Sequence, residues 1–153
     1  MGKIRESIHV EAPIEHVWEL NATCERYPEW QTGIAEVKDC TGKIDRVGAT
    51  YTAVYKSMGR KLEATFEVTR AEKPRLIEQK VTAPGGGRGT LVQTHESVGG
   101  GTDITIDFDY ELPGGFVGGV ANKLFMERAL ERDIRHSNEN FKALCEAEAK
   151  VPA

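Results

Sequence analysis

Hydrophobic positions alternate from the first residues of the chain. Ile4, Ile8 and Val10 are separated by Arg5, Ser7, His9 and Glu11, the period of a half-buried strand. Ala12-Pro13 ends it, and Pro suits the first turn of a helix. The segment IEHVWEL then puts Ile14, Val17, Trp18 and Ala22 on one helical face, and a short second helix around Cys24–Tyr27 is predicted to stop at Pro28.

From Ile34 the period changes to two. A short strand is predicted over Ile34–Asp39, and Gly48 opens ATYTAVYKSM, which turns back into KLEATFEVTR. If Gly59-Arg60 is a two-residue hairpin loop, Met58 faces Lys61, Tyr55 opposes Ala64, Ala53 opposes Phe66 and Tyr51 opposes Val68. One face then carries Tyr51, Ala53, Tyr55, Ala64, Phe66 and Val68, and the other is polar. LIEQKVTA follows with Ile77, Gln79 and Val81 on one side, then PGGGRG as a flexible turn. TLVQTHESV and TDITIDFDYEL form a hairpin around Gly99–Gly101, with Ile104, Ile106, Phe108 and Tyr110 facing in and Asp103, Asp107 and Asp109 facing water.

After PGGFVGG comes one long helical stretch, roughly Val120 to Ala149. Its apolar positions are Val117, Val120, Leu124, Leu130, Ile134, Phe141 and Leu144, and Glu127 and Ser137 interrupt the stripe. Short turns between successive strands imply an antiparallel sheet with one buried face, which only the long helix can cover. Large side chains must fill the gap between sheet and helix, or it stays open. The chain is expected to be a single domain over residues 1–150, with a disordered tail at 151–153.

Composition narrows the function classes. A net charge of −4 with 29% charged residues gives a mildly acidic surface without the basic face of a nucleic-acid binder. No apolar run approaches the ~20 residues of a membrane span, and the first residues lack a secretory apolar core. Cys24, Cys40 and Cys145 are odd in number and far apart, which reads as reduced thiols in a cytoplasmic protein. The scattered His9, His16, His95 and His136 give no metal-ligand spacing, so neither a metal nor another cofactor is expected. Monomer and homodimer are not distinguished.

The segments SIHVEAPIEHVWEL, YPEW at Tyr27–Trp30, GGGTDITIDFDYELPGG and LERDIRHSNENFKALCEAEA resemble the polyketide cyclase/dehydrase (SRPBCC, START-like) superfamily over nearly the whole chain. The resemblance implies an α+β helix-grip fold, in which a curved seven-stranded antiparallel sheet and two short helices grip a long C-terminal helix around an apolar cavity. Members bind lipids, sterols, quinones, hormones or polyketides, and some are aromatase/cyclases. A carrier or sensor of a small apolar ligand is therefore expected here; the alternatives are a polyketide aromatase/cyclase and a ligand-free stress or interaction module.

The expected cavity lining is Tyr51, Ala53, Tyr55, Ala64, Phe66, Val68, Ile77, Gln79, Ile106, Phe108, Tyr110, Leu124 and Trp30. Trp30 has two readings, a packing anchor for the helix pair or a ligand contact. Buried phenols at Tyr51 and Tyr55 need partners, which a ligand carbonyl or a backbone carbonyl could supply. His95 is a candidate acid or base, but its face depends on the glycine turn: pairing Val98 with Thr102 puts Thr90, Val92 and Thr94 inside, and a turn one residue longer puts Leu91, Gln93 and His95 there. Glu127 is a candidate general acid if held in the cavity, and a slight helix rotation would expose it instead. Arg60 and Arg88 are placed in turns, away from the cavity. Phe116 and Val117 are candidates for a gate.

Overall fold

The computed structural model describes residues 2–40, 42–57, 60–111 and 120–150, with the side chains of 57, 60, 85 and 120–123 outside the description. The proposed gate at Phe116 and Val117, the residues Met58 and Gly59, and the tail at 151–153 lie outside the described residues.

The elements are strand β1 (Gly2–Val10), helix α1 (Ile14–Ala22), a 3-10 helix (Cys24–Glu29), β2 (Ile34–Lys38), β3 (Thr50–Ser57), β4 (Arg60–Glu72), β5 (Leu76–Ala83), a 3-10 turn (Pro84–Gly86), β6 (Gly87–Val98), β7 (Gly101–Glu111) and helix α2 (Val120–Ala149). One antiparallel sheet has the order β1-β7-β6-β5-β4-β3-β2. The middle of the chain is thus a meander, and the first strand returns to pair with the last. Together with α2 this is the helix-grip α+β fold. Among the described residues no helix is long and apolar enough to cross a membrane.

The inner face follows the alternation. Ile4 and Val10 of β1, Tyr51 and Ala53 of β3, Ala64, Phe66 and Val68 of β4, and Ile77 and Val81 of β5 are all buried. Glu6, Thr52, Glu63 and Thr65 show where the alternation meets its exceptions: Thr65 and Glu63 are exposed as expected, whereas Glu6 sits at an inward position opposite Ile106. Helix α1 closes one end of the sheet with Val17, Trp18 and Leu20. Trp18 is fully buried and meets the His95 ring edge-on at a centroid distance of 5.9 Å.

Several expectations need correction. The β3–β4 register pairs Tyr55 with Leu62, Ala53 with Ala64, Tyr51 with Phe66 and Ser57 with Arg60, two residues away from the predicted pairing. The side-chain period is also two, so the slip leaves every predicted face intact. Arg60 is consequently a strand residue, and so is Arg88, whose Nε bonds Glu111 across β6 and β7 at 2.8 Å. The glycine-rich PGGGRG is only briefly a turn, because β6 begins at Gly87. The short helix does not stop before Pro28 but continues through it to Glu29 as a 3-10 helix. Cys24 and Cys40 are not free thiols: they form a disulfide, with Cα atoms 6.2 Å apart. Their 16-residue separation hid that the start of the 3-10 helix and the end of β2 are spatial neighbours. This pairing removes the thiol argument for a cytoplasmic location; only Cys145 remains free among the described cysteines.

Candidate functional site

Cross-strand rows build the concave face. One row runs Glu6, Ile106, Gln93, Ile77 and Ala71; the next runs Ile4, Phe108, Leu91, Gln79 and Val68; a third runs Gly2, Tyr110, Gly89, Val81, Phe66 and Tyr51. Gly89 is required by packing, since a Cβ there would lie 2.7 Å from both the Phe108 ring and the Asp109 carbonyl oxygen.

Aromatic rings join this face to α2. Tyr51 stacks on Phe66 at 4.8 Å and meets Tyr27 edge-on at 5.2 Å. Tyr27 meets Trp30 at 5.3 Å, and Trp30 meets Phe141 of α2 at 4.9 Å. The Trp30 carbonyl accepts a hydrogen bond from Asn140 Nδ2 at 3.2 Å, and Ser137 Oγ accepts one from the Thr32 backbone N–H at 2.8 Å. Trp30 therefore ties the 3-10 helix to α2. Around it the Arg26 guanidinium bridges Glu29 and Glu148, and Glu11 N–H donates to Glu146 at 2.8 Å.

The turn between β6 and β7 settles which way His95 faces. Val98 pairs with Gly101, leaving Gly99-Gly100 as a two-residue loop in which both φ angles are positive (58° and 85°). That conformation matches the twist of the flanking strands and suits glycine. The loop is one residue shorter than the Val98–Thr102 pairing and two shorter than the longer turn, so it shares the parity of the latter and turns Leu91, Gln93 and His95 inward.

His95 belongs to a buried polar cluster under α1. Asn21 Nδ2 donates to Gln93 Oε1 and approaches His95 Nε2 at 3.5 Å. Nε2 faces a donor, so the ring proton is assigned to Nδ1, which has no hydrogen-bond partner among the described residues. Burial pushes the His95 pKa down to about 4, and the Pro74 carbonyl nearby offsets this only in part. His95 is thus neutral near pH 7, a weak base, and bonded to an amide rather than to a hydroxyl, thiol or carboxylate.

The tyrosines are held protonated. Burial raises Tyr51 and Tyr27, whose hydroxyl donates to the Asn21 carbonyl. Tyr55 is pushed up to about 12 by burial, with Asp133 of α2 adding to it. Tyr110 is likewise pushed up to about 12 by burial and then by Glu127 and Glu131. These phenols can donate hydrogen bonds but cannot act as bases near neutrality.

Of the expected lining, the strand residues Tyr51, Ala53, Ala64, Phe66, Val68, Ile77, Gln79, Ile106 and Tyr110 are buried, and Trp30 is too. Tyr55 and Phe108 are half-buried and pack against the core. Leu124 is the exception: it is 46% exposed. At about 100° per residue it is turned roughly 80° from Ile134, while Glu127 falls within about 20° of that line. Glu127 is accordingly half-buried. Asn21, Tyr27 and Glu6 were missed as site residues, and Gln93 was placed inward only under the longer glycine turn. Asn21 follows Trp18 by three on the α1 stripe, and Gln93 shares the alternation of His95, so both were readable as polar groups on apolar faces.

The titration of His95 has a consequence for stability. Its folded pKa lies below the unfolded value of 6.5, so the unfolded chain binds the extra proton first. Its contribution is complete above pH 6.5 and is lost as pH falls toward about 4. His9 acts in the opposite direction. Hydrogen bonds to Asp103 and then Glu11 raise its pKa, so its contribution is present below the unfolded value and fades as pH rises through its folded pKa. Guanidinium unfolding at pH 7 and pH 5 should show the wild type losing up to roughly 1.4 kcal/mol per pH unit that His95→Gln does not lose. Equal pH slopes in the two proteins would contradict this assignment.

The fold is shared with many solved proteins. A conserved protein from Geobacillus kaustophilus superposes with a TM-score of 0.78 at 16% identity, covering 96% of this chain and 97% of that one. The Zhui aromatase/cyclase from Streptomyces sp. R1128 gives 0.77 at 18% identity, covering 98% and 96%. Ara h 8.0201 gives 0.71 at 8% identity, covering 95% and 98%. At these identities the likeness is one of fold. No curated protein sequence matches the chain. The family described as polyketide cyclase / dehydrase and lipid transport matches residues 1–146, which take in all seven strands, α1 and α2 up to its last turn, and the chain belongs to this family.

Proposed function

We propose that the protein binds a small apolar molecule between the concave face of the sheet and α2, as a carrier or sensor. The observation carrying this reading is the uneven burial of the apolar wall. At the α1 end Val10, Trp18 and Ile77 are sealed, whereas farther along the sheet Tyr55, Leu91 and Phe108, and Ile134 of α2, remain only half-buried. Apolar side chains on the inward side of the fold that stay incompletely covered form the kind of surface that an apolar ligand completes. The family description, which includes lipid transport, supports the same reading.

The aromatase/cyclase alternative draws on the family and on the Streptomyces neighbour. The setting of His95 counts against that residue as its base, since the ring is walled in by Trp18 and bonded to Asn21. Titration with the neutral probe N-phenyl-1-naphthylamine tests the binding reading. Saturable fluorescence enhancement is expected, weakened about tenfold by Leu91→Asn, the loss of one apolar contact side chain. Enhancement that never saturates, or that ignores Leu91→Asn in a folded variant, would leave the ligand-free module as the better reading.

A further inference from the structure

We propose that this interior selects a neutral apolar molecule bearing a hydroxyl group over an anionic one, with the hydroxyl donating its proton to Gln79 Oε1. This rests on the binding reading above and names the chemistry of its ligand. Gln79 lies in the middle of the sheet between Val68 and Leu91, only 1% exposed. Its Oε1 is buried and has no hydrogen-bond partner among the described residues. A buried acceptor left unpaired costs about 1–3 kcal/mol, which a ligand donor would recover. Leu91 and Phe108, next to it in the same row, are half-buried, so an apolar body lying on them brings its polar end to the amide. Tyr110, one row away, adds a second buried hydroxyl without a partner.

Charge supplies the discrimination. Among the inward-facing strand residues with described side chains there is no Lys or Arg, and the single charged one, Glu6, is bonded to Arg135 of α2 at 3.0 Å. The acidic Glu127 and Glu131 lie near enough to Tyr110, and Asp133 near enough to Tyr55, to act on those phenols. Among the described residues a carboxylate head entering here meets carboxylates, and the guanidinium of Arg135 is already paired with Glu6, so the anion stays uncompensated; burying an unpaired anion is far more costly than burying a hydroxyl. A long-chain alcohol, a sterol and a phenol all satisfy the same requirement.

Displacement of N-phenyl-1-naphthylamine by decan-1-ol and by decanoate at pH 8 tests this in the wild type and in Gln79→Met, which keeps the volume and removes the acceptor. Decan-1-ol should bind at least tenfold more tightly than decanoate in the wild type. In Gln79→Met its affinity should fall about fivefold more than that of its methyl ether 1-methoxydecane, which has no donor, the difference being the loss of one hydrogen bond. Decanoate binding as tightly as the alcohol would overturn the proposal, and so would a decan-1-ol affinity indifferent to Gln79→Met or falling only in step with that of 1-methoxydecane. In those cases the binding reading survives. A probe that binds nowhere removes both.

Discussion

Trp18→Ala is expected to destabilise the protein by about 3–5 kcal/mol, the usual cost of truncating a buried aromatic. Trp18 is fully buried on α1 and borders His95. Its removal leaves a hole where α1 meets the sheet and takes cover from the Asn21, Gln93 and His95 cluster, so water reaches groups that are now desolvated. That loss is a large part of the 5–15 kcal/mol typical of a domain. It translates into a midpoint shift of very roughly 6–20 °C. The chain has two tryptophans, so Trp30 still reports unfolding by fluorescence in the variant. A loss below about 1 kcal/mol in guanidinium titration would mean that α1 does not form the seal described.

Phe141→Ala should cost a similar amount, about 3–5 kcal/mol, but with a local signature. Phe141 is buried on α2 and packs on Trp30, the residue that also receives the Asn140 hydrogen bond. Besides Cys145, Ile134 and Leu144, which also pack on the core, the described ties of the helix to the rest of the fold are polar, among them Ser137 to Thr32, Arg135 to Glu6, Lys142 to the His9 carbonyl, and Glu148 to Arg26. Such partly exposed bonds contribute little each. Hydrogen exchange in the variant should therefore show the second half of α2 opening at a lower free energy than the β4–β5 and β6–β7 pairs. Uniform loss of protection across sheet and helix would refute the role of Phe141 as the pin of α2.

The parts of this fold that were legible in the sequence are those governed by parity and period. The bounds of α2 follow from its apolar spacing, and the inward set of β3 and β4 survived a two-residue error in register because side chains repeat every two residues. His95 shows the opposite case: one residue in a glycine turn reverses a whole strand, and the sequence gives no choice among turn lengths that glycine tolerates equally. Leu124 was misplaced because a stripe with steps of three and four drifts around a helix of 3.6 residues per turn, and its N-terminal half was judged by its C-terminal half. The Cys24–Cys40 pair and the Asn21–Gln93 bond join elements that only the tertiary fold brings together, so spacing along the chain carries no trace of them. Within the candidate site, the apolar wall was readable by alternation, but the unpartnered state of Gln79 was not, because satisfaction of a polar atom is a property of its neighbours.

The pairing of β1 with β7 sets the order of assembly during synthesis. The hydroxyls of Ser7 and Thr105 meet across 98 residues, whereas neighbouring strands from β3 to β7 meet through short turns. At ribosomal rates of about 5–20 residues per second, the first strand emerges roughly 5–20 s before its partner exists. During that interval Ile4, Ile8 and Val10 have no sheet to join, so in nascent chains this strand stays open to chaperones and to mispairing until β7 emerges.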